Sequence, residues 1–178
     1  MEDDMIKILV ISGSLRKNSS SNAIIGQVVS MGFPGVEFIV YNGLGLLPHF
    51  NDAEIVSAYV SDFRKLITES DGVFFCTPEY AFGVPGTLKN SLDWLVSSGE
   101  LTYKPVAVIT AATNGEKAHA SLLYTLTAIS ASIAERGTLL ISFIRSKMNE
   151  KNEIKDPATL SEVKSVITAL ITEIESKN

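Results

Sequence analysis

The chain predicts a doubly wound α/β fold, a parallel five-stranded sheet between two helical layers. Two observations carry that reading. Short, continuous apolar runs rich in β-branched residues alternate five times with longer amphipathic stretches. No internal repeat or polar low-complexity linker interrupts the alternation. Short parallel strands need crossovers, and the amphipathic stretches are long enough to supply them.

The elements follow in order. IKILVIS at 6–12 reads as a buried strand, and a polar loop from Gly13 to Ser21 leads into a helix carrying Ile24, Ile25, Val28 and Val29 on one face. Gly32-Phe33-Pro34-Gly35 stops that helix, and EFIVY at 37–41 is the second strand. The loop NGLGLLPHFND follows, then a helix from about 55 to 69 with Val56, Tyr59, Val60, Phe63 and Ile67 at helical spacing. Val73–Cys76 is the third strand, and its helix runs from about 85 to 97 with Pro85 in the first turn. KPVAVITAAT at 104–113 gives the fourth strand, followed by a long helix over 118–136 that Gly137 ends. TLLISFI at 138–144 is the fifth strand. Asp156 caps the last helix, with Pro157 at its first position. The expected strand order is 2-1-3-4-5.

Composition limits the function. The 178 residues suit one domain with a sizeable core. A net charge of −5 argues against nucleic acid as a partner. The acidic tail Met1-Glu2-Asp3-Asp4 is the reverse of a signal peptide's start, and no apolar run approaches bilayer length, so a cytoplasmic protein without membrane insertion is expected. The single cysteine excludes an internal disulfide and any multi-cysteine metal site.

Chemistry concentrates in loops at the carboxyl ends of strands, where ligands of open α/β sheets sit. Gly13-Ser14-Leu15-Arg16-Lys17-Asn18-Ser19-Ser20-Ser21-Asn22 joins the first strand to a helix start. A helix N-terminus with free N–H groups, hydroxyls, amides and two cations suits a phosphate. The absence of G-x-G-x-x-G and of G-K-[ST] disfavours a dinucleotide Rossmann site and a P-loop. The loop after the third strand, TPEYAFGVPG, carries an aromatic pair, Tyr80 and Phe82, that wants a flat partner. No nucleophile with an adjacent base and no metal-spaced ligand set appears. Neither His49 nor His119 looks catalytic, and Cys76 reads as a small core hydrophobe.

Together, ISGSLRKNSSSN and TPEYAFGVPGTLKNSLDWL resemble the NAD(P)H-dependent FMN reductases, whose members reduce free flavins, quinones, azo dyes or chromate. The resemblance implies a flavodoxin-like three-layer sandwich binding FMN, with NADPH or NADH as co-substrate and a small-molecule electron acceptor. It carries Ser14, Arg16, Ser20, Ser21 and Asn22 over as phosphate-site positions. Pro78, Glu79, Tyr80, Ala81 and Phe82 would line the isoalloxazine ring, with Glu79 either contacting the flavin or serving as a structural acceptor. Thr113, Asn114 and Gly115, with Lys117 beside them, would stabilise the reduced ring's negative charge. Lys89, Asp93 and Trp94 would belong to a homodimer or homotetramer interface, with ordinary core or helix packing equally open for Trp94 and Lys89 and Asp93 also able to pair along their helix. No catalytic side chain is implied, because flavin carries the chemistry. Two other readings stand: a flavodoxin-type electron carrier without NAD(P)H oxidation, and a flavin-free scaffold.

Overall fold

The computed structural model describes residues 5–51 and 55–177, so the acidic tail and Asp52 lie outside the described residues. Five strands form one parallel sheet in the order β2-β1-β3-β4-β5. They are β1 (Ile6–Ser12), β2 (Val36–Tyr41), β3 (Gly72–Thr77), β4 (Pro105–Ala111) and β5 (Ser132–Ile141). The helices are α1 (Ser20–Met31), α2 (Ala58–Thr68), α3 (Gly86–Asp93), α4 (Glu116–Ala128) and α5 (Pro157–Glu175).

Side-chain alternation along the strands divides the core in two. Ile8, Val10, Phe74, Cys76, Ala107 and Ile109 pack with α1 and α5 on one face. Leu9, Ile11, Val73, Phe75, Val106 and Val108 pack with α2, α3 and α4 on the other. The central strands β3 and β4 are buried throughout, as their unbroken apolar sequence requires. Winding reverses between β1 and β3, so the loops leaving their carboxyl ends diverge over a shared crevice. Gly13 is forced at that seam. Its N–H donates to the Cys76 carbonyl at 2.8 Å, and a Cβ there would lie 2.2 Å from Thr77 Oγ1.

Several boundaries differ from expectation. α3 ends at Asp93 and is followed by turns, and Pro85 is its cap, one position before the first helical residue. α4 stops at Ala128, eight residues short of 136. There Ser130 adopts a left-handed conformation, its N–H bonds the Thr127 carbonyl, and the Ala131 N–H bonds the Leu126 carbonyl. This is a Schellman closure with serine in the place usually held by glycine, which hides it from a sequence reading. The chain then enters β5 at Ser132. Gly137, expected to end the helix, sits inside a bulge where the pairing jumps from Ile133 to Thr138 and Arg136 is left-handed. β5 also ends early, at Ile141, so Phe143 and Ile144 lie in a turn.

Candidate active site

The site begins at the start of α1. Ser19 is the N-cap, its hydroxyl accepting the Asn22 N–H at 3.1 Å. Asn22 laces the loop together: its amide donates to the Arg16 and Lys17 carbonyls, and its Oδ1 accepts from the Ser12 hydroxyl. Ser14 Oγ accepts the Arg16 N–H at 3.2 Å. Among the described residues, the backbone N–H groups of Lys17, Asn18, Ser20 and Ser21 have no partner in the chain. Four free amides at a helix N-terminus form a concavity suited to an oxyanion. Arg16 is exposed above it and makes no ion pair among the described residues.

The expected phosphate residues therefore divide. Arg16 and Ser20 leave their side-chain donors available, and Ser14 offers a hydroxyl already shared within the loops. Asn22 spends its amide on loop carbonyls. Ser21 corrects the expectation most sharply. It is fully buried against Cys76 with no well-formed hydrogen bond, so only its backbone faces the concavity. Burial pushes the Cys76 thiol up to about 12, with the Ser21 hydroxyl pulling the other way, and an unreactive core thiol results.

The loop after β3 is a two-residue hairpin. Tyr80 and Gly83 exchange both backbone hydrogen bonds, at 3.0 and 2.9 Å, across Ala81 and Phe82. Both central residues have positive φ, 49° and 60°, the signature of a type I′ turn. That turn normally takes asparagine or glycine, so an alanine and a phenylalanine here hold backbone strain. The hairpin thrusts Phe82 into solvent at 74% exposure and leaves Tyr80 partly open.

Two contacts fasten this hairpin to its neighbours. The Tyr80 hydroxyl lies 3.3 Å from Ser14 Oγ, joining it to the first loop. The Glu79 carboxylate accepts the Gly115 N–H at 3.0 Å through one oxygen and the Ala118 N–H at 3.1 Å through the other. Glu79 is thus the structural acceptor, capping α4 from another loop. That contact also corrects the reading of Gly115: its N–H is spent on Glu79, leaving it a left-handed helix cap with φ 91°. Thr113 and Asn114 stay exposed beside it. Beneath the loop, His119 Nδ1 lies 2.9 Å from Thr110 Oγ1, and burial lowers the imidazole pKa, favouring the neutral ring.

The loop after β5 was invisible in the sequence, because its residues read as strand. The Phe143 N–H donates to the Thr113 carbonyl, the Ile144 N–H to the Ala112 carbonyl and the Ser142 hydroxyl to the Asn114 carbonyl. Trp94 is likewise reassigned. It is buried, donates its indole N–H to the Pro48 carbonyl and packs edge-on to Phe50, so it anchors the loop after β2 within its own chain. Lys89 and Asp93 pair along α3 as expected. Among the described residues no metal-ligating cluster occurs and no helix is long and apolar enough to cross a membrane.

Free amides at a helix N-terminus, an aromatic hairpin and a capped helix start around one crevice of this sheet define a flavodoxin-like fold, with a site suited to a flat, anionic ligand. Residues 6–145 match the family NADPH-dependent FMN reductase, and the chain belongs to it. A quinone reductase of Escherichia coli is 26% identical over 177 residues, covering 93% of this chain and 94% of that protein. An NAD(P)H-dependent FMN reductase of Pseudomonas aeruginosa is 34% identical over 114 residues, spanning 61% of this chain and 60% of its own length. The solved structure of a flavoenzyme NAD(P)H:(acceptor) oxidoreductase from Paracoccus denitrificans superposes with a TM-score of 0.83 at 26% identity, over 97% of this chain and 98% of that one. The alignment thus covers about three fifths of the Pseudomonas relative, and nearly all of the other two.

Proposed function

We propose that the protein is an FMN-containing oxidoreductase that takes a hydride from NAD(P)H and passes electrons to a small-molecule acceptor such as a quinone, azo dye, chromate or free flavin. The observation that carries this is the fastening of three loops into one mouth. Ser14 holds Tyr80 while Glu79 holds the start of α4, and four free amides wait beside them. These residues fit FMN. The amides of Lys17 to Ser21, with Arg16 and Ser20, suit its phosphate, and the Tyr80–Phe82 hairpin offers an apolar surface for its ring. Thr113 and Asn114 would lie along the ring's polar edge. Bound flavin supplies the redox chemistry; the chain supplies position and electrostatics. The open hairpin leaves room for two reactants to use one face in turn.

The same reading makes the chain a single-domain cytoplasmic enzyme acting as a homodimer or homotetramer. Support for assembly comes from Val96 and Tyr124, which stand exposed on or beside the α3–α4 layer. The cradle is tested by titrating FMN into wild type and Arg16→Ala. A weakening of roughly tenfold is expected from loss of a charge-assisted contact, and unchanged affinity would refute the phosphate assignment.

A further inference from the structure

The notable surface feature left unused lies on the other flank of the α1 loop. A cleft of about 790 Å³ runs between α1 and the segment after β5, with Lys17, Asn18, Arg145, Lys151, Glu150 and Glu153 among its walls. The chain carries a net charge of −5, yet Lys17, Arg145 and Lys151 form no ion pair among the described residues. Glu153 is held by the Asn149 amide at 2.8 Å. Three cations set against two carboxylates, Glu150 and Glu153, leave this concavity on balance positive in an acidic protein, which favours an anion.

Phe143 gives the anion a companion. It is 63% exposed, sits in a left-handed conformation with φ 53°, and precedes the short 3-10 turn Ile144–Lys147 that carries Arg145 into the cleft. Exposing a large ring on strained backbone costs free energy twice, an arrangement found chiefly where a ligand uses it. The Phe143 N–H is bonded to the Thr113 carbonyl, so the turn is fixed to the loop expected along the flavin. Two residues reach at most about 7 Å, so Arg145 lies within a dinucleotide's span of that loop.

We propose that Phe143 and Arg145, with Lys17, form the adenosine 2′-phosphate subsite of the pyridine nucleotide. This rests on the oxidoreductase reading above and adds the element that would select NADPH over NADH. A 2′-phosphate monoester adds about two negative charges, suited to a forked guanidinium beside an ammonium. Phe143 offers a flat face of the kind on which adenine stacks. Lys17 and Arg145 are 128 positions apart in sequence, and the fold brings them to one cleft. The FMN phosphate has its own seat at the free amides of α1, so the two anions do not compete.

Calorimetric titration of the FMN-loaded protein with 2′,5′-ADP and with 5′-AMP tests this directly. The wild type should bind 2′,5′-ADP roughly tenfold more tightly than 5′-AMP, and Arg145→Ala should erase that difference while FMN affinity stays unchanged. Arg145→Lys should restore part of it. In steady state, kcat/KM for NADPH should fall about tenfold in Arg145→Ala with the NADH value held. Equal binding of the two probes by wild type, or an Arg145→Ala protein that keeps the difference, overturns the subsite. A wild type that binds 2′,5′-ADP selectively but oxidises neither nucleotide would uphold the subsite and refute the enzyme reading instead.

Discussion

Glu79 accepts the Gly115 N–H at 3.0 Å, so a carboxylate from the loop after β3 closes the helix that follows β4. Its second oxygen takes the Ala118 N–H, and the pair supplies the side-chain cap that Gly115 cannot, adding to Glu116 in the first turn. The loop after β3 is therefore tied directly to the start of α4. Glu79→Gln keeps the shape but loses the charge and one acceptor. The expected cost is about 2 kcal/mol, from the worth of hydrogen bonds to a charged group. Chemical denaturation reads it, and FMN affinity should fall with it, because the hairpin is released.

The type I′ turn gives a prediction of opposite sign. Ala81 has φ 49°, a conformation asparagine tolerates better than alanine. Ala81→Asn should stabilise the protein by roughly 0.5–1 kcal/mol and raise Tm by about 1–4 °C for a chain of this size. A lower Tm would mean the turn is not held in this form.

Gly13 should tolerate nothing larger. A Cβ would meet Thr77 Oγ1 at 2.2 Å and Thr77 Cβ at 2.7 Å, both on a buried residue at the end of β3. Gly13→Ala should cost about 1–3 kcal/mol through overpacking. Adding Thr77→Ala removes the nearer clash and should recover part of that loss. Strictly additive costs in the double variant would contradict the contact.

His119 sets a pH dependence. Burial lowers its pKa in the folded chain from the ordinary 6.5, so the unfolded chain binds the extra proton first as pH falls. Its contribution is complete above about pH 6.5 and is lost as pH drops from there through the lower folded value. Tm should therefore decline on acidification between pH 7 and 5, and His119→Gln should flatten that decline. An identical slope in the variant would remove His119 as the cause. The only other histidine, His49, is exposed in the loop after β2.

Much of this was legible in the sequence because its signals are local. Apolar runs such as GVFF and VAVI are strands wherever helices cover both faces, and the Pro/Gly-punctuated loop after β3 marks a ligand edge. The loop after β1 was legible as a donor-rich helix start. What stayed hidden depends on pairing at a distance. Glu79 reads equally as a flavin contact or a structural acceptor until the fold sets its carboxylate against the start of α4. Ser130 closes α4 in a conformation usually taken by glycine, so the helix looked longer than it is. Trp94 fitted assembly and core packing alike until Pro48 and Phe50 were seen to cover it. Ser21 looked like a donor until α1 turned its side chain inward against Cys76 of the central strand.

The most direct test of the central claim is the visible absorption spectrum of the purified protein after FMN addition and desalting, followed by anaerobic NADPH. The account predicts retained flavin bands that bleach when NADPH is added. Flavin bands that dithionite bleaches and NADPH leaves intact would contradict it and identify an electron carrier. A colourless protein would remove the cofactor on which the whole assignment stands.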